Sequence, residues 1–317
     1  MNEVVNSPKI SVLMPAYNCD QYIEKAITSI LDQTFSNFEL LICDDGSTDN
    51  TGTIIASFTD RRIKRFKNSK NKGYLQTYNY LLSLATAELI TFQDADDWSA
   101  STRLAEQLEI FQSHDDVYLT ACNGGFFYSE ESQVSCPNFN SGIISLSEGN
   151  FEFMLPSIMI KKQVLNSIKG HHKYFDNLTG MDQYFILEIL SEFKGYAINR
   201  HLYFAHFNPG SNHRTLNYIR KATIPEAYYL LKKQRLSTGT DWLKEGKDDL
   251  LLAFEESLLK NRKFMAEKYR EYAVYRVDSK QTKAAWRLLS KAISLNPFYL
   301  KTYRTFFYLI KSGLGYR

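Results

Sequence analysis

Three carboxylates crowd residues 93–98, QDADDW, as Asp94, Asp96 and Asp97. Like charges this close repel, so such a cluster either lies solvated in a turn or holds a cation that cancels the repulsion. The apolar run LITF just before it makes the cluster the carboxyl end of a strand. Two more polar stretches follow apolar runs in the same way, PAYN at residues 15–18 and DDGSTD at residues 44–49. Each has a plain local explanation: Pro15 and Asn18 punctuate a turn, Asp45 and Gly46 make one, and Asp49 caps the next helix. Together they gather hard oxygen donors, and Mg²⁺ or Mn²⁺ is typically held by one or two carboxylates completed by phosphate oxygens.

The elements that must position these stretches alternate. KISVLM reads as a strand, and the segment after it puts Ile23, Ile27, Ile30 and Leu31 on one helical face, with Asp20 as the expected N-cap. FELLIC is a second strand, NTGTIIASFTD a second helix, RIKRFKN a third strand and YLQTYNYLLSLA a third helix. Residues 88–93 form the next strand and Arg103 to Phe111 the next helix. This alternation predicts an α/β fold with a mostly parallel sheet flanked by helices, whose ligands sit outside the carboxyl ends of the strands. Residues 117–159 read as short strands extending the sheet, MDQYFILEILSEF as a helix, Tyr196 to Ala205 as a strand, and NPGSNHR as a loop.

After Thr215 the pattern is almost continuous helix, with one hairpin of tetratricopeptide type between residues 271 and 297. We therefore expect two domains, residues 1–214 and a helical appendage, residues 215–317, in a chain of 317 residues. Apolar and charged fractions of 44% and 23% exclude disorder and fibrous repeats. The net charge of +3 conceals a gradient, since residues 260–317 carry 14 Lys and Arg against 3 Asp and Glu. Such a basic helical tail can meet anionic lipid at a membrane surface or remain a solvated face. Its tyrosines recur at helical spacing, which favours a packed core over a nucleic-acid surface. Cys19, Cys43, Cys122 and Cys136 show no CxxC spacing, and neither a leader peptide nor a membrane span of ~20 apolar residues is evident, so a cytoplasmic location is expected.

In their order and spacing, ISVLMPAYN, FELLICDDGSTDNT, NKG with Asn79, ELITFQDADD and RLAEQ resemble the family-2 glycosyltransferases of GT-A fold, over residues 9–215. The resemblance implies an inverting transferase that moves a sugar from a nucleotide-sugar donor, a UDP-sugar by preference, to an acceptor hydroxyl of a glycan or lipid-linked glycan in polysaccharide or glycoconjugate synthesis. It assigns Pro15, Ala16, Tyr17 and Asp45 to base and ribose, with Asn79, Asp94 and Asp96 also in the donor site and Asp44 as support for the loop. Asp96 and Asp97, with His206, are the implied ligands of a divalent Mn²⁺ or Mg²⁺. Asp182, in LTGMDQYF, occupies the position of the general base.

The chain departs from the family pattern at three places. Met181 precedes the base where Glu is frequent, Tyr78 stands where Arg often precedes Asn79, and His206 replaces the basic residue of a late loop. His213 is a weaker ligand candidate, and Trp98 either walls the sugar site or anchors its loop. A sugar nucleotidyltransferase would require a Gly-rich basic loop after the first strand, which PAYNCDQY lacks. A degenerate fold serving as an interaction module would be expected to lose the acidic cluster or the base.

Overall fold

The computed structural model describes residues 7–129, 132–134, 139–148, 153–176, 178–206, 218–278 and 281–313. The predicted NPGSNHR loop, His213 and Cys136 lie outside them. The chain divides into two compact units, Met1–Leu216 with Arg235–Gly239, and Asn217–Gln234 with Thr240–Arg317.

In the first unit β1 (Ile10–Ala16), β2 (Phe38–Asp44), β3 (Ile63–Lys67) and β4 (Leu89–Phe92) alternate with α1 (Ile23–Leu31), α2 (Thr51–Ser57) and α3 (Tyr74–Leu84). Then follow β5 (Trp98–Ser99), α4 (Arg103–Ser113), β6 (Val117–Ser129), β7 (Ser132–Val134), β8 (Gly142–Ile144), β9 (Ile158–Lys161), α5 (Met181–Glu192) and β10 (Lys194–His206). The sheet runs β3-β2-β1-β4-β9-β6-β10-β5, with β7 on β6 and β8 on β10. Pairing is parallel from β3 through β4 and again between β6 and β10, and antiparallel on both sides of β9. The chain leaves β1 toward β2 and β3, then returns to its other side as β4. Strand order therefore reverses between β1 and β4, the crevice where open α/β sheets take ligands.

The buried strands are continuous apolar runs because both faces are covered. On one face α1 buries Ile23, Ala26, Ile27 and Ile30, and each isoleucine contributes about 1.5–3 kcal/mol. Two local expectations change. Asp20 does not cap α1: the carbonyl of Cys19 accepts from the N–H groups of Tyr22 and Ile23, so a turn delays the helix to Ile23. The strands expected to be short after residue 117 include the 13-residue β6, whose pairing with β10 shifts register three times. Such irregularities bend a long strand and re-aim its end.

The second unit consists of α6 (Tyr218–Thr238, less its last turn), α7 (Asp248–Lys260), α8 (Arg262–Asp278), α9 (Thr282–Leu295) and α10 (Leu300–Gly313). Its core joins Ala273, Ala285, Leu288, Leu289 and Leu309, with Trp286 edge-on to Phe306 at 5.4 Å. Among the described residues no helix is long and apolar enough to cross a membrane.

Candidate active site

The loops after β1 and β2 are laced together by side chains the sequence singled out. The Asp45 N–H donates to the Ala16 carbonyl at 2.8 Å. Asn18, at φ +47°, accepts the Thr48 N–H at 2.8 Å and donates its own N–H to Ser47 Oγ at 3.1 Å. Asn is one of the few side chains at ease in that left-handed region. Asp49 accepts the N–H groups of Thr51 and Asp20, at 3.0 and 3.1 Å, so it ties the two loops besides bonding the start of α2. Pro15 and Ala16 end β1 buried, while Tyr17 is 41% exposed at the crevice.

The two carboxylates of DDGSTD differ in what they hold. Asp45 is buried and accepts from Asn68 Nδ2 at 2.7 Å and from the N–H groups of Lys72 and Gly73 at 3.0 and 2.9 Å, so it pins the NKG segment. Asp44 accepts the Ser47 N–H at 2.9 Å through Oδ1. Its buried Oδ2 receives no hydrogen bond, although Lys67 Nζ lies 3.4 Å away. The lysine pairs with that oxygen by charge without aiming a proton at it. A Cβ on Gly52 would fall 2.7 Å from that oxygen, so glycine there keeps the space open.

The acidic loop leaves β4 through Gln93, whose N–H donates to the Leu13 carbonyl at 2.9 Å. Asp94 Oδ1 accepts the phenol hydroxyls of Tyr74 and Tyr78 at 2.8 and 2.9 Å. Asp97 accepts the Tyr203 hydroxyl at 2.6 Å and the His206 N–H at 2.7 Å, one on each oxygen. Tyr203 also accepts the Asp94 N–H at 3.3 Å, so one phenol at the end of β10 braces both carboxylate positions. Burial, then the neighbouring Asp96 charge, pushes the Asp94 carboxyl up to about 7. The same causes, in the same order, hold Asp97 well above the usual carboxylate range. Asp96 is raised by burial against a lowering from His206.

Asp182 lies in the first turn of α5, after Gly180 at φ +95°, a left-handed position suited to glycine. Its Oδ2 accepts the Leu155 N–H at 3.1 Å. Burial lifts its carboxyl to about 6, outweighing both that bond and the favourable helix N-terminus. Its charge in turn helps raise Asp94, Tyr74 and Tyr78, which puts it within electrostatic reach of the acidic loop. Met181 is buried, so a glutamate there would bring a desolvated charge to the same helix turn. Tyr78 gives Asp94 a neutral hydrogen bond where an arginine would give an ion pair.

Other candidate residues are held differently. Asn79 is engaged at both ends of its amide by the His171 main chain, at 2.9 and 2.8 Å. Trp98 lies between Lys25 Nζ, 3.4 Å over its ring, and Phe204, stacked at 5.7 Å, which anchors the loop to α1 and β10.

In the sequence Arg103 opens a helix and the RLAEQ motif, with no role of its own. It is fully buried, and its Nη1 donates to the carbonyls of Pro156 and Phe92 at 2.6 and 3.3 Å and to Thr91 Oγ1 at 3.2 Å. It thus joins the root of the acidic loop to the Leu155–Ser157 turn that holds Asp182. Tyr74, Tyr203 and His171 were missed too. A phenol facing a buried acid leaves no signature in spacing, because aromatics at these positions read as core.

The resemblance implies a divalent cation, and the donors for it stand at the acidic loop and the end of β10. His206 Nδ1 is buried without a partner among the described residues, and its ring rests on Tyr22 at 4.5 Å. Its neighbour Asp96 is hydrogen-bonded to its own backbone N–H. Among the described residues no three His, Cys, Asp or Glu side chains are grouped to enclose a metal. An open site offering one or two protein ligands, completed by a diphosphate, is how Mg²⁺ and Mn²⁺ are commonly held, and the residues fit that arrangement.

Comparison with known proteins bears on the whole arrangement. An uncharacterized glycosyltransferase of Haemophilus influenzae is 31% identical over 201 residues, 62% of this chain and 78% of that protein. The Escherichia coli UDP-Glc:alpha-D-GlcNAc-diphosphoundecaprenol beta-1,3-glucosyltransferase WfaP is 36% identical over 132 residues, and the match spans about half of it, 51%. Staphylococcus aureus TarS 1-349 in complex with UDP-GlcNAc shares the fold at a TM-score of 0.64 and 17% identity, covering 93% of this chain and 91% of that one. The mannosyltransferase PcManGT of Pyrobaculum calidifontis, in complex with GDP-Man and Mn²⁺, aligns at 0.56 and 16% identity over 98% and 88%. The model of glycosyl transferase family 2 matches residues 11–173, and with this GT-A fold around the strand ends the chain belongs to that family.

Proposed function

We propose that the protein transfers a sugar from a UDP-sugar to a hydroxyl of a lipid-linked glycan, with inversion at the anomeric carbon. The observation that carries the reading is Asp182 within electrostatic reach of the acidic loop that follows β4, with burial giving its carboxyl a value of about 6. Such a group is unprotonated at pH 7 yet more basic than an ordinary aspartate, as a general base should be. Relatives named for UDP-Glc and a diphosphoundecaprenol acceptor, and a fold neighbour that binds UDP-GlcNAc, favour this donor and acceptor class.

In this reading Tyr17 lies against the uracil ring, and Asp44 or Asp45 accepts its N–H. Asp44 Oδ2 accepts no hydrogen bond from the described residues, whereas Asp45 already accepts three donors, one of them on Oδ2. Asp96 and His206 would hold the Mn²⁺ or Mg²⁺, with Asp97 completing the set or bracing it through Tyr203. When bound, the cation supplies positive charge for the leaving diphosphate. Asp182 takes the proton of the acceptor hydroxyl as its oxygen bonds to the anomeric carbon. The bond from that carbon to the diphosphate breaks in the same displacement, and UDP leaves. Asn79 contributes by fixing residues 170–171.

The test is a screen of the purified protein with Mn²⁺ against UDP-, GDP- and dTDP-sugars, with a diphosphoundecaprenol-linked GlcNAc acceptor. Product from a UDP-sugar, with inverted linkage by NMR, is expected. Turnover with a GDP-sugar alone would overturn the donor assignment, and no turnover with any donor would overturn the catalytic one.

A further inference from the structure

The basic tail divides into an inner and an outer face along α10. Thr302, Thr305 and Leu309 are buried, and Phe306 packs on Trp286, so this side belongs to the core of the second unit. Leu300, Tyr303, Phe307 and Ile310 recur at i, i+3, i+7 and i+10, which places them on one outward sector of the helix. Leu300 is 77% and Phe307 64% exposed, and Phe298, just before the helix, is 90% exposed. A stripe of this kind marks an interaction site more often than a random scatter does.

Charge identifies what the stripe would meet. Residues 282–313 contain six Lys and Arg and no Asp or Glu. Arg304 and Lys311 fall on the sector beside the apolar one, both exposed, and Lys301 flanks them, within 3.8 Å of Glu267. A protein partner core would match apolar against apolar. An apolar sector edged by cations, with an aromatic at 90% exposure beside it, instead matches the boundary between acyl chains and anionic headgroups.

We propose that the outer face of α10 is a peripheral docking surface for an anionic lipid bilayer. Phe298, Leu300 and Phe307 enter the headgroup boundary while Arg304 and Lys311 face the lipid phosphates. The inference is independent of the active-site reading, since none of these residues belongs to the catalytic unit.

The experiment is co-sedimentation of the full chain with vesicles of phosphatidylcholine alone or mixed with phosphatidylglycerol, at low and high salt. The expected result is binding to the mixed vesicles only, weakened by salt. Leu300→Ser with Phe307→Ser should reduce it by about tenfold or more, and so should Arg304→Glu with Lys311→Glu. Circular dichroism establishes that both variants keep their helices, and release of UDP from a UDP-sugar should be unchanged in them. Absence of wild-type binding, equal binding to both vesicle types, or wild-type binding by either variant would overturn the proposal. So would light scattering that shows a dimer split by Phe307→Ser without lipid binding, because the face would then serve a second copy of the chain.

Discussion

As the proposed general base, Asp182 has to be unprotonated to act, and burial holds its carboxyl at about 6. The rate should therefore fall as pH drops through about 6, on a profile of kcat/KM against pH, which reports the free enzyme. Asp182→Asn keeps the shape, so donor affinity by calorimetry should persist while kcat falls by roughly 10²–10⁴. The raised value also costs stability. Above pH 6 the folded state carries a charge it disfavours, so the Asn variant should be more stable at pH 8 by about 1–3 kcal/mol, an advantage that disappears below pH 4. A variant with lower activity and no gain in stability would mean that Asp182 is not strained by burial.

His171 shows the opposite linkage. It is buried among Tyr78, Phe92 and Phe185, neither ring nitrogen has a partner among the described residues, and burial lowers its value to about 3. Below pH 6.5 the unfolded chain binds a proton that the folded one refuses, so stability is lost as pH falls from about 6.5 toward 3. Between pH 7 and 5 urea unfolding of the wild type should lose up to about 2 kcal/mol more than His171→Leu loses. Equal losses would show that the imidazole finds a partner.

At the scale of elements, the site depends on loops that touch through main chain. A Cβ on Gly46, at φ +74°, would fall 2.7 Å from the Lys70 carbonyl carbon, so the DDGSTD turn and the NKG segment fit together because residue 46 has no side chain. Gly46→Ala strains the turn and forces backbone apart, with an expected loss of about 2 kcal/mol or more. Because Asp45 pins the same segment, KM for the donor should rise too, and a variant of unchanged stability and KM would refute the close fit. Arg103→Met should leave the Pro156 and Phe92 carbonyls unpaired at a cost of about 1–3 kcal/mol each. The acidic loop and the turn behind Asp182 would then lose their common tie, so kcat should fall further than donor affinity does.

At the scale of the whole molecule, donor and cation should bind as one unit, because the carboxylates of the acidic loop meet a diphosphate only with a positive charge between them. A UDP-sugar at a hundred times its Kd, with Mn²⁺, should stabilise the catalytic unit by about 2.7 kcal/mol, seen as a raised Tm. EDTA should abolish the shift. A full shift in EDTA would remove the cation from the site.

The sequence by itself determined the alternation of strand and helix, since β1, β2 and β4 are apolar runs set by burial on both faces and each ends in a polar stretch. It also determined which acids stand at strand ends, because Asp94, Asp96 and Asp97 follow β4 in the chain. Asp182 was legible only through its motif. Tertiary structure decided what surrounds these acids, which comes from segments remote in sequence: Tyr203 and His206 reach Asp97 from more than a hundred residues away, and Pro156 meets Arg103 across 53. Burial is likewise a property of the assembled sheet, so neither the value of about 6 at Asp182 nor the outward turn of Phe307 beside the inward Phe306 could be read from residue order. Spacing specifies which residues share an element, while packing alone specifies which of their atoms are removed from water and which partners they find there.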